Sequence, residues 1–152
     1  PLGTKVQIKG PFGSLALPED VSRRAVLLSG GIGITPFRSM SKFAAAEKLP
    51  HKIFLFYSNR RPEDAAFLKE LQDLKKQNPN FKFIPTMTRP EQEWAGEGGY
   101  INIEMLKKYV DNILEPTYYI AGPPAFVAAT WQMLKFSGVS EDNIRTEEFA
   151  GY

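Results

Sequence analysis

The sequence predicts an α/β fold, a doubly wound parallel sheet of five strands flanked by helices. Two observations carry this. From Ala25 onward, apolar runs of strand length alternate with loops and amphipathic helices, the order that gives parallel strands joined by right-handed crossovers. The first runs are apolar throughout rather than at every second residue, as strands buried on both faces require. With 43% hydrophobic and 12% aromatic residues in 152, the chain has material for a core without cross-links.

The elements follow in order. Lys5 to Lys9 alternates polar and apolar residues, predicting a half-buried strand, and Gly10-Pro11-Phe12-Gly13 forces a turn. Leu15 to Pro18 leads into a polar stretch ending at Arg24. The first buried strand is Ala25 to Ser29, followed by a glycine-rich turn and a helix from about Pro36 to Lys48. Thr35 is its expected N-cap and Pro36 its first residue. The second strand is Lys52 to Ser58, and its helix is expected to open at Pro62. That helix carries Phe67, Leu68, Leu71 and Leu74 on one face and closes on Lys75 and Lys76, a charge order matching the macrodipole. Strand three is Phe81 to Thr88. After a loop with Trp94, a short helix starts near Asn102, with Ile103, Leu106 and Val110 inward. Strand four is Thr117 to Ala121, then Gly122-Pro123-Pro124 and a helix ending before Gly138. Strand five is about Ile144 to Phe149.

Composition excludes several classes. There is no cysteine, hence no disulfide, thiolate metal site or iron–sulfur cluster in this chain. The single histidine, His51, follows Pro50 and reads as a solvated loop residue. Nineteen basic against 17 acidic residues is too even for a nucleic-acid binder. Gly, Ser or Pro interrupts every apolar run before membrane-spanning length, so neither nucleic acid nor a membrane span is expected. The absence of cysteine and of a secretory signal fits the cytoplasm. A chain opening on Pro1 is expected to be a fragment or a processed product.

Three motifs point to chemistry. Gly30-Gly31-Ile32-Gly33-Ile34-Thr35-Pro36 lies between a buried strand and a helix, where glycines admit a diphosphate and the helix N-terminus offers free N–H groups. A side chain at Gly33 is expected to fill space the diphosphate needs, in a domain that still folds. Gly122-Pro123-Pro124 repeats the logic after strand four, and ligands of open α/β sheets bind outside the carboxyl ends of strands. Ser58-Asn59-Arg60-Arg61 and Thr88-Arg89 fall at the ends of strands two and three. Arginine there suits bidentate phosphate contact, although Arg61, beside Pro62, reads as plain surface. No Asp or Glu stands at the end of strand two, where one would select an unphosphorylated ribose.

Gly31, Gly33, Thr35 and Pro36, then Ala121 to Pro124, then Glu148 and Phe149, in this order and spacing, resemble the ferredoxin–NADP reductase superfamily. The resemblance covers Ala25 to Tyr152 as its NAD(P)H-binding domain and makes residues 1–24 the end of a flavin-binding barrel with its linker. It implies that Gly31, Gly33, Thr35 and Pro36 line the diphosphate, and that Gly122, Pro123 and Pro124 lie under the nicotinamide. It implies that Ser58, Arg60, Thr88 and Arg89 hold the adenosine 2′-phosphate of NADPH, with NADH as the other nucleotide to weigh. Tyr152 would cover the flavin ring and Glu148 would sit near its edge. Many members have cysteine where this chain has Ala121. The family's flavin motif is not in the chain, so FAD would belong to the full-length enzyme only. The implied function is hydride transfer from NAD(P)H to FAD and onward electron transfer to a ferredoxin, haem or oxygenase component. The rivals are a non-catalytic nucleotide-binding or interaction module and a reductase of free flavin.

Overall fold

The computed structural model describes residues 2–7, 15–90 and 94–149. Strands β1 (Ala25–Gly30), β2 (Ile53–Asn59), β3 (Phe81–Met87), β4 (Glu97–Gly98), β5 (Thr117–Gly122) and β6 (Ile144–Glu148) form one sheet in the order β4-β3-β2-β1-β5-β6. Every pairing is parallel. The five expected strands are present, and the two-residue β4 adds a sixth at the edge, paired with Thr86 and Met87. The chain runs outward from β1 through β2 and β3, then returns to lay β5 on the other side of β1. That reversal is the topological switch point.

The uninterrupted apolar runs have their cause in the layers. β1, β2 and β5 are buried along their whole length. On one face Leu27, Leu55 and Tyr57 pack with Phe37 of helix α1 (Ile34–Ala46) and Leu71 of helix α2 (Leu68–Gln77). On the other, Leu28, Phe56 and Ile120 pack with Leu106 of helix α3 (Ile103–Tyr109) and Leu134 of helix α4 (Pro124–Phe136). Each such fully buried side chain contributes about 1.5–3 kcal/mol. Asn102 caps α3, its Oδ1 accepting from Met105 N at 2.9 Å. Trp94 packs on the α1/α2 core while Nε1 donates to Glu97 O at 2.8 Å.

Several expectations need correction. Residues 5–7 form no strand and are exposed, Val6 at 77%; alternation makes a strand only where a sheet offers a partner and an apolar face. The turn at Gly10 to Gly13 lies outside the described residues. The first helix begins at Ile34, with Gly33 rather than Thr35 at its N-cap. Pro36 therefore occupies its third position, where a missing N–H still costs nothing. Pro62 opens only a 3-10 turn (Pro62–Asp64); Ala65 is then extended and buried, and Phe67 is left-handed at φ 60°, so α2 starts at Leu68. His51 is not solvated: it is 7% exposed, and Nε2 lies 2.9 Å from Pro18 O.

Helices α1 and α2 are joined through Glu70, which accepts from Arg38 at 2.8 and 2.9 Å and from Lys42 at 2.6 Å. The Arg38 guanidinium also covers the Phe67 ring at 4.5 Å. These two cations hold the Glu70 carboxyl down at about 2, against an ordinary 4.5. A carboxylate with a lowered folded-state pKa stabilises above its unfolded value and loses that contribution as pH falls through the folded one. Glu70→Gln is therefore expected to lower the denaturation midpoint above pH 4.5, with the difference shrinking as pH falls from 4.5 through 2. Urea titrations of both proteins across that range provide the check.

Candidate functional site

The site is built where the turns after β1 and β5 meet. A 3-10 turn, Gly31–Gly33, joins β1 directly to α1. A Cβ on Gly33 would stand 2.1 Å from Ala121 O and 2.6 Å from Gly122 N, so only glycine lets the two turns touch. Gly122 in turn lies against β1, its Cβ position 3.0 Å from Gly30 O, and Gly30 lies under the Phe126 ring of α4. Gly33 has an ordinary helical φ of −58°. Gly31 is the residue with left-handed backbone, φ 52°, and a Cβ there would meet nothing within 4 Å. The expectation that the domain still folds with a side chain at Gly33 is thus corrected: Gly33 seats the turn on β5, and Gly31 borders the open space.

Two helices begin at this place. Neither the Gly31–Gly33 turn nor α1 has a capping side chain or an acidic residue in its first turn, and the same holds for α4. By contrast α2 carries Glu70 and α3 carries Glu104 in the first turn. The N-terminal ends of α1 and α4 therefore keep uncompensated partial positive charge, which favours an anion. Thr35 is half-buried with Oγ1 donating to Ile32 O at a long 3.3 Å, a bond readily exchanged for a ligand. Pro123 precedes α4 in extended backbone and Pro124 is its first residue.

Beyond β2 and β3 the backbone pairing continues past the strand ends. Thr88 N donates to Asn59 O and Arg89 N to Arg60 O, each at 2.9 Å. This sets Arg60 and Arg89 side by side, both exposed and, among the described residues, outside any ion pair. Arg61 pairs with Glu63 at 3.3 Å, as a surface residue would. Ser58 is buried inside β2, opposite Gly30 and Thr86, below the edge where the arginines stand. Asn59, to which no separate role was given on sequence, is 8% exposed with Nδ2 buried and without a partner among the described residues. An amide closing an apolar strand was the signal available. Near it, burial raises the Tyr57 phenol above its ordinary value and keeps it neutral. Glu148 is exposed at the end of β6, in register with Gly122, and Phe149 N donates to Gly122 O at 3.0 Å. Tyr152 lies outside the described residues.

Gly33→Ala is expected to be the more costly of the two, destabilising the domain by about 3 kcal/mol or more, because the added methyl overpacks rigid main chain. Gly31→Ala is expected to cost about 1–2 kcal/mol from left-handed backbone alone. Denaturant unfolding of the two variants measures the contrast, and equal losses would refute this division of roles.

Comparison with known proteins agrees with this geometry. Residues 27–132 match the model of the family described as "Oxidoreductase NAD-binding domain". The chain is 34% identical over 155 aligned positions to a subunit of the Na(+)-translocating NADH-quinone reductase of Methylococcus capsulatus, covering 98% of the chain and 38% of that protein. The chain thus spans well under half the length of this curated relative. The Amycolatopsis cytochrome P450 reductase GcoB superposes with a TM-score of 0.79 at 26% identity, covering 92% of this chain and 42% of that one. The flavohemoglobin of Malassezia yamatoensis, at 24% identity, shares the fold with a TM-score of 0.80 over 97% of this chain and 39% of its own. Motif order, sheet topology and family match converge: the chain belongs to the oxidoreductase NAD-binding domain family, the pyridine-nucleotide domain of ferredoxin–NADP reductase-like proteins.

Proposed function

We propose that the chain is the NAD(P)H-binding module of a flavin-dependent oxidoreductase. The observation that carries this reading is the contact of the two glycine turns at the β1/β5 switch point, with two uncapped helix N-termini opening on it. A dinucleotide fits these residues. The open space at Gly31, the exchangeable Thr35 hydroxyl and the first turn of α1 at Pro36 suit a diphosphate. Gly122, Pro123 and Pro124 form a side-chain-poor shelf for the nicotinamide. Arg60 and Arg89, with Thr88 and Ser58 behind them, serve the adenosine end.

Residues 1–24 belong in this reading to the end of a flavin-binding domain and its linker, and residues 25–152 to the nucleotide domain. When bound, NAD(P)H and FAD supply the chemistry, a hydride from nicotinamide to flavin and then electrons to a redox partner. This chain's residues orient the nucleotide and neutralise its phosphates. In this reading Glu148, in register with Gly122, sits near the flavin edge, and Tyr152, outside the described residues, covers the flavin ring. The acceptor is a ferredoxin, haem or oxygenase component; the NADH-quinone reductase to which the curated relative belongs adds a quinone to that set. No helix of the described residues is long and apolar enough to cross a membrane, and the module is assigned to the cytoplasm, where its nucleotide is found.

The isolated chain is expected to bind pyridine nucleotide with one-to-one stoichiometry by calorimetry and to purify colourless. Stoichiometric FAD in the purified chain would overturn the domain assignment, and absence of nucleotide binding would overturn the function. Replacing Arg60 and Arg89 together by Ala is expected to weaken NADPH far more than NADH. Each well-formed charge-assisted contact is worth about 1.5–3 kcal/mol. Equal losses would mean that these arginines serve the shared diphosphate.

A further inference from the structure

Residues 15–18 form neither helix nor strand, yet side chains from deep in the domain hold their main chain. Tyr119 OH, from the middle of β5, donates to Ala16 O at 2.7 Å. His51, at the mouth of β2, sits 2.9 Å from Pro18 O through Nε2. A carbonyl only accepts, so the imidazole proton is on Nε2 here. Leu15 and Leu17 pack onto the core face shared by Tyr119 and Ala121. Farther along, Arg23 donates to Glu115 O at 3.0 Å and Asn143 Oδ1 at 2.7 Å, and Arg24 to Asp111 O at 2.5 Å.

This attachment is stronger than a linker requires. Ten free residues, from 15 to 24, would let their ends wander roughly 16–19 Å apart. Docked, they leave the domain at one place. Tyr119 stands two residues before Ala121 on β5, about 7 Å of strand from the glycine turns. Residues 15 and 16 are thus held on the α1/α2 face against Tyr119, on the strand that ends in the Gly122 turn.

We propose that Tyr119 and His51 are positioning residues, holding residues 15–18 as a docked strap that presents the N-terminal flavin domain to the nucleotide site in one orientation. The proposal rests on the reading of the chain as a nucleotide module. Its physical basis is the steep dependence of transfer reactions on geometry, where an ångström of misplacement costs on the order of a hundredfold in rate.

Two measurements test it. In this chain, cleavage after Leu15 by a protease of chymotryptic specificity reports release of the strap, with cleavage after the fully exposed Leu2 as internal reference. Tyr119→Phe and His51→Ala are each expected to speed the Leu15 cut about tenfold, the factor expected for one lost hydrogen bond. His51→Gln, which keeps a side-chain N–H, is expected to restore resistance. NADH affinity by calorimetry should stay unchanged in all three. In the full-length protein, Tyr119→Phe is expected to slow flavin reduction at saturating NADH about tenfold, followed by flavin absorbance, without altering the Kd for NADH. An unchanged Leu15 cut in Tyr119→Phe overturns the strap, and a faster cut with unchanged flavin reduction overturns the positioning role. Failure of the unsubstituted chain to bind NADH would count instead against the nucleotide reading, leaving the cleavage result to stand separately.

Discussion

The carbonyl of Ala121 occupies the place a side chain on Gly33 would need. Much else in the molecule depends on that contact. It brings the turn after β1 against the end of β5, although 88 residues separate the two in sequence. The sheet has to reverse its winding between these strands for the contact to exist, and β1 has to be buried on both faces for its turn to emerge at the centre of the edge. The uncapped starts of α1 and α4 then face the same opening. A dinucleotide site in this fold is therefore a consequence of strand order, and its glycines are there for close approach more than for flexibility.

Charge is arranged to leave that opening available for an anion. Acidic residues occupy the first turns of α2 and α3, where no ligand is proposed, and are missing from those of α1 and α4. The Arg38–Glu70–Lys42 cluster joins α1 to α2 along their sides and involves neither Arg60 nor Arg89. Those two arginines are set in place by main-chain bonds that extend the β2/β3 pairing past the strand ends. Their backbones are held while their side chains stay exposed, which suits recognition of a mobile phosphate better than a paired surface charge would.

The α1/α2 face shows how the fold completes itself without a third helix. Near β5 that face is covered by Leu15, Leu17 and Phe149 beside α1. Polar main chain laid over an apolar sheet needs partners, and Tyr119 and His51 supply them. The burial of His51, so different from the solvated loop residue suggested by Pro50-His51, follows from this requirement.

Local pattern was enough for five of the sheet's six strands, the order of its helices and both glycine turns, because buried parallel strands and amphipathic helices write their periodicity directly into neighbouring residues. The family resemblance rested on three motifs, each only a few residues long. Other features could be decided only in three dimensions. Gly33 was expected to accept a side chain without loss of the fold, yet it packs against main chain, since the carbonyl it meets lies on a strand far along the chain. Pro62 signalled a helix start, but burial of Ala65 interrupted it. Thr35 looked like a cap until the 3-10 turn placed the helix start at Ile34. The alternation at Lys5 to Lys9 promised a strand that residues 5–7 do not form, because a strand is a property of its neighbours as much as of its own residues. Nearest-neighbour chemistry is legible in sequence; contacts closed across dozens of residues are set by topology.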